Sequence, residues 1–159
     1  MYLRKGLEIN AQGHLVIGGC DSVELAREFG TPLYVYDEEY LRGRCAGFTG
    51  AIAQYAPGGA AAYAGKAFLT TAMAVLMKQC GMWLDCVSAG ELYVARRAEF
   101  PAEHIILHGS NKTLAELETA LSQAKLMVTN NDYFMQDGYY STYVGRKLAQ
   151  FEGKDAAVS

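Results

Sequence analysis

The sequence lacks any apolar run approaching the roughly 18 residues that a membrane span needs. Its opening stretch, MYLRKGLEIN, has no apolar core of the kind a signal peptide carries. It also lacks a basic excess, since 14 Lys and Arg stand against 17 Asp and Glu for a formal net charge of -3. General nucleic-acid binders show the opposite balance, so neither nucleic acid nor membrane is an expected partner. No C-x-x-C pair occurs among Cys20, Cys45, Cys80 and Cys86. That spacing speaks against a zinc site and a disulfide framework, and for reduced thiols in a cytoplasmic protein. Neither G-x-G-x-x-G nor G-x-x-x-x-G-K-[ST] is present, which leaves dinucleotide and nucleoside-triphosphate binding by those routes unsupported. His14 and His104 have no acidic residue or Cys at ligand spacing, so no metal is expected.

What is present is enough apolar residue for a core. Hydrophobic residues make up 51% of the 159 and charged residues 19%, a composition that folds rather than stays disordered. Periodicity and turn residues divide the chain into βα units. Leu33–Tyr36 reads as a strand opened by Pro32, followed by a helix from the candidate cap Asp37 to about Tyr55. Gly43, Gly47 and Gly50 each weaken that helix. Ala60–Ala64 reads as a buried strand, and Thr70 or Thr71 caps a helix that stops at Gly81. Trp83–Val87 is the next strand. Ser88 then stands three residues before Glu91, the spacing of a capping box. His104–Leu107 is a fourth strand, and Thr113 with Glu116 repeats the box ahead of an apolar stripe at Leu114, Leu117 and Leu121. Leu126–Thr129 makes a fifth.

Strand–helix alternation at this pitch implies an α/β fold with a parallel sheet, because each helix must return the chain across the sheet face. A (β/α) barrel and an open doubly wound sheet both satisfy it. Before the repeat, His14–Ile17 is strand-like, and Ser22–Phe29 is a short helix capped by Asp21 or Ser22 and ended by Gly30. The organisation expected is an N-terminal arm over 1–30, βα units over 31–125, and a last strand with a tail over 126–159.

Ligands in parallel α/β folds gather at the C-terminal strand ends. Lys66 follows an almost wholly apolar strand in Tyr63-Ala64-Gly65-Lys66-Ala67. An amine held in apolar surroundings loses its proton more readily, which suits a Schiff-base nucleophile, although a lysine can equally snorkel to water. Asp85 lies within an apolar strand, which is costly unless it meets Lys66 on the neighbouring strand end or faces a helix N-terminus or solvent. Ser88 reads as a helix cap and Cys86 as core. His108-Gly109-Ser110-Asn111-Lys112 is a polar loop from which His108 and Asn111 could reach a ligand, or a plain βα connection.

These stretches in this order resemble the diaminopimelate decarboxylase branch of the alanine-racemase-like, fold-type III pyridoxal-phosphate (PLP) decarboxylases. The resemblance rests on Gly-Thr-Pro-Leu-Tyr-Val-Tyr-Asp (30–37), Tyr-Ala-Gly-Lys-Ala (63–67), Leu-Asp-Cys-Val-Ser-Ala-Gly-Glu-Leu (84–92) and His-Gly-Ser-Asn-Lys-Thr (108–113). Phe100-Pro101 falls where that family has its linker into the next strand. It covers about residues 8–125, and Ser110 stands where the family commonly has Asn.

The resemblance implies a partial PLP-binding (β/α) barrel of four to five units with PLP as cofactor. In it Lys66 would bind PLP and then release it to the amino-acid substrate, with Asp85 beside it setting its protonation state. Ser88, His108 and Asn111 would line the cofactor pocket. The implied reaction converts meso-diaminopimelate to L-lysine and CO2 in a homodimer. A complete (β/α)8 barrel takes about 250 residues. The resemblance therefore implies only the N-terminal portion, without the phosphate loop, the acidic partner of the pyridine nitrogen or the β-domain, and with little activity alone. Two other readings stand beside it. One is a related decarboxylase acting on ornithine, arginine or carboxynorspermidine. The other is a non-catalytic α/β domain whose residues 132–159 cover the open sheet edge.

Overall fold

The computed structural model describes residues 5–109, 113, 115–116, 127–129 and 157–158. They fall into two compact units that divide between Pro57 and Gly58.

In the first unit, β1 (Leu7–Ile9), β2 (Leu15–Ile17) and β3 (Cys20–Asp21) form an antiparallel sheet in that order. Asn10 makes the first turn: its side-chain oxygen accepts the Gln12 N–H at 3.1 Å and the His14 N–H at 2.9 Å, the local pairing that favours Asn in turns. Helix α1 (Ser22–Phe29) follows at once. Asp21 rather than Ser22 is its cap, accepting from the Val23 and Glu24 N–H groups at 2.8 and 3.3 Å. Gly30 ends it at a φ of 80°.

Helix α2 (Glu38–Tyr55) runs its expected length straight through Gly43, Gly47 and Gly50. Each glycine costs about 1 kcal/mol against Ala. Partial compensation is visible at the N-terminus, where Asp37 caps the Tyr40 N–H at 2.9 Å and Arg42 pairs with Glu38 one turn away at 2.7 Å. The Asp37 carboxylate is admitted by two residues without side chains. A β-carbon on Gly6 would overlap it, and one on Gly18 would come within 3.3 Å. Both glycines have positive φ, 88° and 55°, which other residues rarely adopt.

The second unit is a parallel sheet in the order β4 (Ala62–Ala64), β5 (Trp83–Cys86), β6 (Ile105–His108), β7 (Met127–Thr129) and β8 (Ala157–Val158). Helix α3 (Thr71–Gln79), capped by Thr70, links β4 to β5, and α4 (Ala89–Arg97), capped by Ser88, links β5 to β6. Parallel neighbours need such crossovers, and both helices pack on β5. Side chains alternate across the strands. Leu84, Cys86, Ile105 and Leu107 are buried on one face, with Met73, Ala74, Leu76 and Met77 of α3 and Leu92 and Ala95 of α4 completing the core. Truncating a buried Leu such as Leu84 or Leu107 to Ala costs about 2–5 kcal/mol in sites of this kind. Trp83 and Asp85 on β5, and Ile106 and His108 on β6, occupy the opposite, half-buried face. At its lower end Trp83 stacks on His104, ring centres 5.2 Å apart.

One expectation needs correction. Leu33–Tyr36 forms no strand ladder among the described residues, and its side chains are exposed, Tyr34 at 86%. Apolar and aromatic content marks strand candidates, but a strand exists only where a neighbouring edge completes its hydrogen bonds. The parallel sheet accordingly begins at β4. Ala157–Val158, which carries no strand signal in the sequence, adds a parallel strand to β7. Asp137-Gly138, which reads as a hairpin turn, and 144–151, which reads as a short helix, lie outside the described residues. So do Leu114, Leu117 and Leu121, although the Thr113–Glu116 box ahead of them is present, the Glu116 carboxylate accepting from Thr113 N–H at 2.8 Å. Among the described residues, no helix is long and apolar enough to cross a membrane.

Candidate active site at the carboxyl ends of the parallel strands

The sheet register decides which side chains share the strand ends. Ala64 of β4 pairs with Asp85 of β5, and Asp85 pairs in turn with Ile106 of β6. Lys66 and His108 each stand two residues beyond a partner of Asp85. Asp85 therefore lies between β4, which leads into the Lys66 turn, and β6, which ends in His108.

Lys66 lies in a single 3-10 turn, Gly65–Ala67, directly after β4, and is exposed. The turn is held on two sides. The Tyr63 hydroxyl donates to the Phe68 carbonyl at 2.7 Å, bridging it from before to after. Beneath it, a β-carbon on Gly65 would stand 3.0 Å from the Asp85 carbonyl oxygen and 3.0 Å from Glu91 Oε2. The bare backbone thus lets the turn settle against the end of β5 and the first turn of α4.

Asp85 is paired with His108 rather than with Lys66. Its Oδ2 lies 3.7 Å from His108 Nδ1, within ion-pair reach when the imidazole is protonated, while the side chains remain 22% and 29% exposed. The other oxygen, Oδ1, is buried and accepts no hydrogen bond among the described residues. Ser88 caps α4, its hydroxyl oxygen accepting the Glu91 N–H at 3.3 Å, and Glu91 answers by accepting the Val87 N–H at 2.8 Å. Cys86, on the opposite face, is wholly buried. Burial, with the nearby Glu91 and Asp85 carboxylates, pushes its thiol up to about 12, so it is inert. Asn111, like Ser110 and Lys112, lies outside the described residues.

The structure therefore brings Lys66, Asp85, Ser88 and His108 to adjoining strand ends. Two contributors were not singled out from the sequence. Glu91 was seen only as the second half of a capping box, the signal that could have revealed its reach to Val87. Nothing in the sequence marked the Tyr63 clasp. The residues present fit an aldehyde cofactor in two respects. Lys66 offers an accessible primary amine, and Asp85 keeps a buried acceptor oxygen unused for an N–H or ammonium group.

Residues 44–137 match the family described as "Pyridoxal-dependent decarboxylase, pyridoxal binding domain". The chain belongs to this family, whose cofactor is PLP. Among curated relatives, it is 47% identical over 132 residues to the diaminopimelate decarboxylase of Bacillus methanolicus, covering 82% of this chain and 31% of that protein. It is 45% identical over 134 residues to the Bacillus subtilis diaminopimelate decarboxylase, covering 84% and 30%. The solved structure of diaminopimelate decarboxylase from M. jannaschii in co-complex with L-lysine superposes with a TM-score of 0.78 at 29% identity, over 98% of this chain and 35% of that one. The chain thus spans about a third of the length of these relatives.

Proposed function

We propose that this chain is the cofactor-attachment portion of a PLP-dependent amino-acid decarboxylase acting on meso-diaminopimelate to give L-lysine and CO2. The observation that carries the reading is the register that sets exposed Lys66 and half-buried Asp85 at adjoining strand ends. The substrate follows from the relatives named diaminopimelate decarboxylase and from the L-lysine complex of one of them. Its β4–β8 sheet would be part of a (β/α) barrel completed by further chain, with residues 31–125 as the barrel segment, and the working enzyme would be a cytoplasmic homodimer.

Lys66 would hold PLP through its amine, with Asp85, Ser88, His108 and Asn111 around it. Bound PLP supplies an electron sink for the pair left on the α-carbon when the carboxylate departs as CO2. This chain's own residues keep the amine accessible and hold it in place. The Tyr63 clasp and the seat at Gly65 fix the turn that carries it. Asp85, paired with the Ala64 that leads into that turn, would be the acceptor for a nitrogen held there.

Addition of PLP to the purified chain, followed by borohydride reduction and peptide mapping, tests this reading. A saturable absorbance band, a single adduct on Lys66 and loss of both in Lys66→Ala are expected. Equal, weak labelling of wild type and variant rejects it. A second reading, a non-catalytic α/β domain, draws on one observation: β8, from the extreme tail, adds a strand next to β7. It predicts a trypsin-resistant chain without the Lys66 adduct.

A further inference from the structure

The Asp85 carboxylate presents an uneven arrangement. One oxygen faces an imidazole, and the other is buried with no partner among the described residues. Leaving a buried carboxylate oxygen unpaired is costly, so the group needs donors. His108 is placed to supply one, its Nδ1 lying 3.7 Å from Oδ2. It closes β6 on the same sheet face as Asp85, two positions beyond the residue that pairs with it. Its neighbours restrict where its ring can go. Leu107 before it is fully buried, and Gly109 after it turns the backbone at a φ of 124°.

We infer that His108 is a positioning residue for Asp85. Its imidazole, 3.7 Å from Oδ2, orients the carboxylate and leaves Oδ1 for a protonated nitrogen arriving at the strand ends. The inference rests on the proposed attachment of an aldehyde cofactor at Lys66. The effect inferred here for His108 runs through Asp85. The ligand class it serves is a cationic or N–H-bearing nitrogen, not an anion. Sheet order puts β6, which ends in His108, on one side of β5 and β4, which leads into the Lys66 turn, on the other.

Two measurements on the full chain test this. Long-range proton–nitrogen NMR reads which ring nitrogen of neutral His108 carries the proton. Free imidazoles favour Nε2, so a proton on Nδ1 in the wild type, moving to Nε2 in Asp85→Ala, is the result expected. A proton on Nε2 in both overturns the pairing. The second measurement is the initial rate of PLP labelling at Lys66, trapped with borohydride. His108→Leu is expected to slow it about fivefold, the effect of a coupling of about 1 kcal/mol between residues in contact. His108→Gln, which keeps a side-chain donor, is expected to restore most of the rate. In an Asp85→Ala background, His108→Leu is expected to change nothing further. A slowing of equal size in that background means that His108 does not act through Asp85, and overturns the inference. Absence of any wild-type label on Lys66 rejects the proposed function instead, and the ring proton alone then decides the pairing.

Discussion

The Tyr63 hydroxyl donates to the Phe68 carbonyl at 2.7 Å and so closes a clasp over the turn that presents Lys66. Tyr63 is the last but one residue before that turn, and Phe68 is the first after it. The bond therefore joins the two ends of the segment directly. A neutral hydrogen bond of this kind contributes about 1 kcal/mol net. Tyr63→Phe keeps the ring and removes only the donor. The denaturation midpoint is expected to fall by the equivalent of about 1 kcal/mol. PLP labelling at Lys66 is expected to become less selective against other lysines. A variant with unchanged midpoint and unchanged selectivity shows the clasp to be idle.

Ser88 is doing a cap's work whatever else it does, with its oxygen on the Glu91 N–H. Ser88→Ala is expected to cost about 1 kcal/mol and Ser88→Asn to recover most of it, since both Ser and Asn are good caps. Urea titrations of the three proteins decide the matter. Equal midpoints for Ser and Ala refute the cap's contribution.

Cys86 is buried on the helix-facing side of β5, whereas Cys20 is exposed. An aromatic disulfide reagent at pH 8 is expected to modify Cys20 quickly and Cys86 only after unfolding. The shift also predicts an alkaline effect. Burial first, then Glu91 and Asp85, raise the thiol from its ordinary 9.0 to about 12. With a raised native value, the unfolded chain loses the proton first, so stability is full below 9.0 and declines as pH rises toward 12. Cys86→Ala is expected to flatten that decline. Rapid labelling of Cys86 in the folded protein contradicts the account.

Asp21 joins β3 to α1 in the first unit. Burial pushes its carboxyl up, but hydrogen bonds from His14, from the Val23 and Glu24 N–H groups and from Asn10 outweigh it and bring it down to about 2 from 3.8. A depressed native value stabilises above the ordinary one, and the benefit is lost as pH falls from about 3.8 toward about 2. Helical circular dichroism is expected to drop through that window in the wild type. The drop is expected to shrink in Asp21→Asn. An acid transition unchanged by the substitution disproves the role given to Asp21.

Local signals carried much of the organisation. The caps at Thr70 and Ser88, the Thr113–Glu116 box and the Gly30 stop were legible because each depends on residues within a few positions of one another. Helix α2 was legible from its cap even though three glycines argued against it. Strand character at Leu33–Tyr36 was legible too and misled, because strand formation needs an edge supplied from elsewhere. The strand at Ala157–Val158 was not legible for the same reason: two residues have no periodicity, and only the free edge of β7 makes them a strand.

The candidate site divides in the same way. By itself, the sequence determined that Lys66, Asp85 and His108 follow or close successive strands, because alternation and turn residues set the strand ends. Only the tertiary structure decided that Asp85 turns to His108 rather than Lys66, that its Oδ1 is left over, and that Glu91 and Tyr63 brace the lysine turn. Those outcomes depend on the register between strands and on side-chain reach across the sheet. Neither is written in sequence spacing, because residues about 20 positions apart become neighbours only when the parallel ladder aligns them.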